Sequence, residues 1–179
     1  MLDQSKTRRF ERIVLPHVKA AYNLAWWLLR NEQDAEDVVQ EACLRAFKHL
    51  DRFRGEDARA WLLTIVRNEG YDWLDRNRRR DRTVSLDQTP IDIPSEADSP
   101  EVLVMRNIDI GLLHEGLENL PVEFREVLVL RELEELSYRE IAAIVEIPLG
   151  TVMSRLARGR KRLQEWLHCR TSEEVRDAV

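Results

Sequence analysis

Between Asp34 and Leu50 the apolar residues Ala35, Val38, Val39, Ala42, Cys43, Ala46, Phe47 and Leu50 recur at steps of three and four. A helix places such residues on one side, and a strand, with its period of two, does not. The other side of the same helix carries Asp34, Asp37, Gln40, Glu41 and Lys48. Elsewhere strand-type alternation is nearly absent, and 6 glycines and 6 prolines are few for 179 residues. The expected fold class is therefore all-α, in two small helical domains joined by an acidic linker.

The first domain is expected over residues 1–80, as three helices covering about Phe10–Leu29, Asp34–Leu50 and Asp57–Arg79, with a loop at Asp51–Glu56. Pro90, Pro94 and Pro100 stop helical periodicity over 81–101, because proline lacks the backbone donor and restricts the residue before it. That stretch reads as a linker. The second domain is expected over 102–169, with helices at Val104–Asn119 and Val122–Glu134 on either side of Pro121. Ser137 and Glu140 have capping-box spacing and open a short helix to about Val145. The turn Pro148–Thr151 then launches a last helix to about Trp166, and 170–179 is a tail.

A net charge of −5 conceals two opposite segments. Between Ser85 and Glu101 stand Asp87, Asp92, Glu96, Asp98 and Glu101 without a base. Between Met153 and Arg170 stand Arg155, Arg158, Arg160, Lys161, Arg162 and Arg170 against Glu165 alone. The working surface is therefore basic despite the acidic total. The N-terminus has no secretory pattern, and no stretch approaches the roughly 18 apolar residues of a membrane span. Cys43 and Cys169 lack CxxC spacing and the four histidines are scattered, so neither disulfide nor metal site is expected. Cys43 reads as a small buried thiol and the environment as cytoplasmic and reducing.

Three constellations bear on function. The strongest is the C-terminal pair of helices: a capped helix, a tight turn, then a basic amphipathic helix, the pattern of a helix-turn-helix whose second member enters the major groove. Val152, Leu156, Leu163 and Trp166 would face inward, while Ser154, Arg155, Arg158, Lys161 and Arg162 lie on the other side. Arginine reads guanine edges and grips phosphate. The competing reading, a merely solvated face, does not account for bases left almost unopposed. The second constellation interleaves Tyr71 and Trp73 with Arg76, Arg78, Arg79, Arg80 and Arg82, which suits unstacked bases beside phosphates. Trp61 is expected in the core, Tyr71 and Trp73 fit either role, and Glu69, Asp72, Asp75 and Asp81 dilute the patch. The third is the acidic face of Asp34, Asp37 and Glu41, where carboxylates favoured by the helix dipole suit docking rather than catalysis, with no nucleophile or metal ligand beside them. No enzyme activity and no cofactor are expected.

These residues resemble a known family. Asp34 to Glu41 followed by Ala46-Phe47 resembles the core-polymerase-binding helix of bacterial sigma factors. Phe53-Arg54-Gly55, Trp61-Leu62 and Val66-Arg67-Asn68 resemble the loop and helix that open the −10 promoter element. Leu136 to Ala142, Ile147 to Val152 and Ser154-Arg155-Leu156 resemble the domain that reads the −35 element. Order, acidic linker and length are similar to the extracytoplasmic-function group, and the likeness runs from about Phe10 to Trp166.

The resemblance implies roles. Asp34, Asp37, Gln40 and Glu41 would meet a coiled coil of the polymerase's largest subunit. Arg52, Phe53, Arg54, Glu56 and Asn68 would line a pocket for a base flipped from the −10 strand, with Arg76, Arg78, Arg79 and Arg80 on nearby phosphates. Thr151, Ser154, Arg155, Arg158, Lys161 and Arg162 would serve the −35 groove. The linker would lie in the polymerase's template and RNA-exit channels, and an anti-sigma factor would hold the protein inactive. Two positions depart from the family pattern: Met153 replaces a frequent base, and Gly159 replaces an alanine, which weakens a helix by roughly 1 kcal/mol. The alternative is an autonomous helix-turn-helix regulator that binds operator DNA without polymerase.

Overall fold

The computed structural model describes residues 4–55, 57–81 and 110–177, of which 80–81 and 171–177 are described as backbone alone. The expected linker, Asp81 apart, and Glu56 lie outside the described residues. Every regular element among the described residues is helical.

Helix α1 spans Gln4–Ile13, and a 3-10 turn at Leu15–His17 separates it from α2, Val18–Leu29. The expected single segment Phe10–Leu29 is thus two helices. Pro16, early in the 3-10 turn, has no N–H to continue α1. Helix α2 carries Ala21, Leu24, Ala25 and Leu28 into the core and ends on Arg30, whose left-handed backbone (φ 58°) lets its N–H reach the Trp26 carbonyl. Asn31 then caps α3, Glu32–His49, its side-chain oxygen accepting from the Asp34 N–H at 3.0 Å. The stripe expected on this helix is present: Ala35, Val38, Val39, Ala42, Ala46 and the following Leu50 are buried, while Cys43 and Phe47 pack beside them half-exposed. Burial pushes the Cys43 thiol up, away from reactivity. A 3-10 turn, Leu50–Arg52, leads to the loop before α4, Ala58–Asp81, where the Asp57 carboxylate accepts from the Ala60 N–H at 2.9 Å. Helices α2, α3 and α4 pack on one another around Leu62, Leu63 and Val66.

The second half begins with α5, described over 110–118, and continues with α6, Val122–Leu128, which runs into a π-helical turn at Val129–Leu133. Helix α7, Tyr138–Val145, opens on the expected capping box: the Ser137 N–H donates to the Glu140 carboxylate at 2.6 Å and the Glu140 N–H to the Ser137 hydroxyl at 3.3 Å. Helix α8 spans Leu149–Asp177, longer at both ends than Thr151–Trp166. Gly159 on α8 is buried, and a Cβ there would stand 3.1 Å from Leu128 Cδ1 and 3.3 Å from Phe124 Cβ, so the missing side chain lets α8 lie close on α6.

The halves meet over a charged seam. Glu126, fully buried on α6, accepts from Arg67 Nε of α4 at 2.9 Å and from Arg155 Nη1 of α8 at 3.3 Å. The Arg67 guanidinium also lies 4.5 Å from the Tyr71 ring centre. Burial pushes the Glu126 carboxyl up, and hydrogen bonding and charge from Arg67, the Tyr71 hydroxyl and the Arg155 charge oppose it. Glu134, also buried, accepts from Arg59 of α4 and from Asn23 Nδ2 of α2 at 3.0 Å. Arg30 donates to the Glu118 carboxylate at 2.7 Å and to its carbonyl at 3.2 Å, and His114 packs 4.9 Å from Trp27. Arg125, buried behind this seam with Nε unpaired, is pushed down to about 10 chiefly by burial.

Candidate nucleic-acid and polymerase interface

Three surfaces hold the residues singled out in the sequence. On α3, Asp37, Gln40 and Glu41 are exposed and Asp34 is half-buried, its carboxyl pushed up by burial and by the neighbouring Asp37 charge. Glu41 pairs with Arg45 at 3.3 Å, and Arg45 also reaches the buried Glu69 at 2.6 Å. Leu44 stands in the same row, four residues after Gln40, and is 59 % exposed. It breaks the polar pattern of that face and is the one signal the sequence offered for an apolar centre in an otherwise acidic surface.

The second surface is a cleft of about 680 Å³ behind the loop between α3 and α4, lined by His49, Arg52, Phe53, Arg54, Gly55, Asp57 and Trp61. The Phe53 and Trp61 rings stack with centroids 4.6 Å apart and planes inclined by 23°. Trp61 is half-buried: it packs against the core, as the sequence expects, and also forms a wall of this cleft. Its role is legible only once the loop brings Phe53 back across one turn of α4. A Cβ on Gly55 would approach Phe53 Cε2 to 3.2 Å, so glycine lets the chain pass over that ring. Asn68 is exposed two turns further along α4 and does not line this cleft.

Arg76, Arg78 and Arg79 are exposed at the far end of α4, with Arg76 Nε on the Asp72 carbonyl at 3.1 Å, whereas the Arg80 side chain lies outside the described residues. Arg78 also lines a smaller cavity of about 290 Å³ between the halves, together with Tyr71, Leu74 and Arg155. Tyr71 belongs to the Glu126 seam, and burial is the main cause that pushes its phenol up. Trp73 packs half-buried against the core.

The third surface is the outer face of α8. Val152 and Leu156 are buried and Leu163 and Trp166 half-buried, as the amphipathic pattern requires. Ser154, Arg158, Lys161 and Arg162 are exposed in one row; Ser154 Oγ donates to the Thr151 carbonyl at 3.0 Å, and Thr151 is half-buried. Arg162 rests 4.8 Å from the Phe124 ring centre, and Lys161 stands 3.8 Å from Glu165. Arg155 sits apart from the row, its guanidinium turned to Glu126. Met153 (52 % exposed) and Leu149 (41 %) form an apolar edge to the face. No helix among the described residues is long and apolar enough to cross a membrane.

Comparison with known proteins matches two family models to the chain. Sigma-70 region 2 matches residues 13–80 and sigma-70 region 4 matches residues 110–163. The ECF RNA polymerase sigma factor SigE of Mycolicibacterium smegmatis is 35 % identical over 179 residues, covering 98 % of this chain and 68 % of that protein. The RNA polymerase sigma-H factor of Pseudomonas aeruginosa is 33 % identical over 167 residues, with 89 % and 86 % covered. Among solved structures, the sigma factor RpoE in complex with the anti-sigma factor NepR, from Bartonella quintana, superposes with a TM-score of 0.76 at 29 % identity, covering 90 % of this chain and 98 % of that one. CnrH in complex with the cytosolic domain of CnrY gives a TM-score of 0.64 at 28 % identity, over 91 % and 90 %.

Proposed function

Because the chain belongs to the extracytoplasmic-function group of RNA polymerase sigma factors, we propose that it directs promoter-specific transcription initiation through the three surfaces just described. Asp34, Asp37, Gln40 and Glu41 dock on core polymerase, and the exposed Leu44 supplies an apolar centre to that acidic face. The Phe53–Trp61 cleft, with Arg52 and Arg54, takes an unstacked base of the −10 element, while Glu56, Asn68, Arg76, Arg78, Arg79 and Arg80 contribute to the same strand. Thr151, Ser154, Arg158, Lys161 and Arg162 serve the −35 major groove, with Arg155 reaching it by leaving Glu126. Residues 1–80, 81–101, 102–169 and 170–179 then act as −10 module, tether, −35 module and tail. The protein works in the cytoplasm by binding alone, with neither reaction nor cofactor.

The observation that carries this reading is the outer row of α8: bases directed to solvent on the helix that follows a capped helix and a tight turn. An anti-sigma partner that fits on or between the modules completes the proposal, supported by the complex in which the similar Bartonella RpoE was solved. The test adds the purified chain to core polymerase and to promoters selected from random DNA by the resulting holoenzyme. Specific transcripts with a single-stranded bubble at the −10 element are expected. Tight operator binding without core, and no association with polymerase, would establish an autonomous regulator instead.

A further inference from the structure

We infer that Lys6 and Arg9, on α1, are positioning residues for −10 opening: they clamp the turn between α3 and α4 from behind and so hold the Phe53 ring against Trp61. The inference rests on the reading of the Phe53–Trp61 cleft as the place where a base is received. Nothing in the sequence pattern of the cleft itself involves α1, whose Lys6 and Arg9 lie 45 and 44 positions before Asp51 and Phe53.

The geometry is specific to that turn. Lys6 Nζ donates to Asp51 Oδ2 at 2.5 Å and lies 3.5 Å from the Lys48 carbonyl. Arg9 Nη2 donates to the Phe53 carbonyl at 3.0 Å, half-buried. Lys48 ends in the last turn of α3, where carbonyls have no helical partner, and the Phe53 carbonyl stands in a loop with the same need. Behind these bonds Lys6 Nζ lies 5.4 Å from the Phe47 ring centre, and Phe10 meets Phe47 edge-on at 5.4 Å.

Holding a carbonyl fixes the peptide plane that follows it. Phe53 leaves the 3-10 turn with φ −71° and ψ 111°, and the Arg9 bond sets the direction of that ψ. The same plane sets how Arg54 and Gly55 depart, and Gly55 passes within contact of the Phe53 ring. A loop free to rotate there would swing the ring away from Trp61 and meet a flipping base in many conformations. Ordering it beforehand removes that entropic loss from the opening step. Phe10 and Ile13 pack partly buried against the core, which seats α1 without fixing the turn beside it. Two cations converging on that turn do so, the half-buried Arg9 bond more than the exposed Lys6–Asp51 pair.

The experiment compares Arg9→Ala, Arg9→Lys, Lys6→Gln and Phe53→Ala as holoenzymes on a promoter selected by the wild-type holoenzyme, with 2-aminopurine in the −10 element. Two readouts are taken: the rate of bubble opening, and affinity for core by competition with wild-type protein. Arg9→Ala is expected to slow opening about tenfold with core affinity unchanged, the loss typical of one charged hydrogen bond. Arg9→Lys restores most of the rate, and Lys6→Gln slows it less. Should Phe53→Ala impair opening while Arg9→Ala and Lys6→Gln do not, the clamp is wrong and the cleft reading stands. Should Phe53→Ala open normally, the cleft is not the base site and the clamp falls with it. An Arg9→Ala loss shared equally by opening and core affinity, and not recovered by Arg9→Lys, assigns α1 a purely structural role and overturns the inference.

Discussion

The Arg59 guanidinium donates to both the carboxylate of Glu134, at 2.5 Å, and its backbone carbonyl, at 2.9 Å, and so ties the start of α4 to the turn before α7. Glu134 is 6 % exposed and its other carboxylate oxygen is held by Asn23, so the pair bridges two elements of the first half to one of the second. Removing the arginine leaves a buried carboxylate with a neutral donor alone. Arg59→Ala is expected to cost about 2 kcal/mol in urea denaturation, in the range of hydrogen bonds to charged groups. A double-mutant cycle with Glu134→Gln should return a coupling of about 1–2 kcal/mol. Independent effects would show that the halves do not share this contact in solution.

Glu126 is the more buried of the two acids and stands between two guanidiniums. In Glu126→Gln, Arg67 and Arg155 face each other with no anion between them. A loss of about 3 kcal/mol is expected, as for a buried ion pair stripped of one partner. Glu126→Leu should cost no less, which thermal unfolding of the two variants side by side will show.

Two buried glycines should respond differently to alanine. At Gly116 a Cβ would stand 2.6 Å from Leu163 Cδ1 and 3.0 Å from Trp166 Cε3. Gly116→Ala is expected to destabilise by about 1–2 kcal/mol through overpacking. At Gly159 the nearest atoms are Leu128 Cδ1 at 3.1 Å and Phe124 Cβ at 3.3 Å, so a give of a few tenths of an ångström suffices. There the helix-propensity gain of about 1 kcal/mol offsets the crowding, and Gly159→Ala should be near neutral. Equal effects at both sites would contradict the packing described.

The capping box predicts a pH dependence. Hydrogen bonds from the Ser137 hydroxyl and N–H hold the Glu140 carboxyl below its ordinary value. The folded state therefore binds that proton less readily than the unfolded chain. Its contribution is present above about pH 4.5 and is lost as pH falls through the lowered folded value. The stability difference between wild type and Ser137→Ala, about 1 kcal/mol at neutral pH, should shrink below pH 4. A difference independent of pH would mean that Glu140 does not share in the cap.

On α8, Arg158→Ala should weaken −35 recognition by about 1–3 kcal/mol and relax the preference at one base pair. A filter-binding comparison of holoenzymes on substituted promoters reads both. An unaltered preference would move the reading face elsewhere on the helix.

What could be read in advance follows physical scale. The α3 stripe and the Ser137–Glu140 cap are local, written in spacings of three and four, and the structure has them where the sequence places them. The break at Pro16 was equally local, but the apolar residues on both sides masked it as one segment. Glu126, Glu134 and Glu69 could not be recognised as interior, because a carboxylate is buried only when a partner distant in sequence arrives: Arg67, Arg59 and Arg45 lie 59, 75 and 24 positions away. The same reason hid the pairing of Phe53 with Trp61, which depends on how a loop folds back.

Positions −10 and −35 of a promoter are about 25 base pairs apart, roughly 85 Å of duplex at about 3.4 Å per pair. Here Arg67 and Arg155, from opposite halves, grip one carboxylate. The proposed function asks the two halves to serve sites that far apart, while this grip holds α4, α6 and α8 together. Charged groups of this kind regain water when parted, but the fastening is not charged alone: His114 packs 4.9 Å from Trp27, and buried apolar side chains of both halves run on as one core.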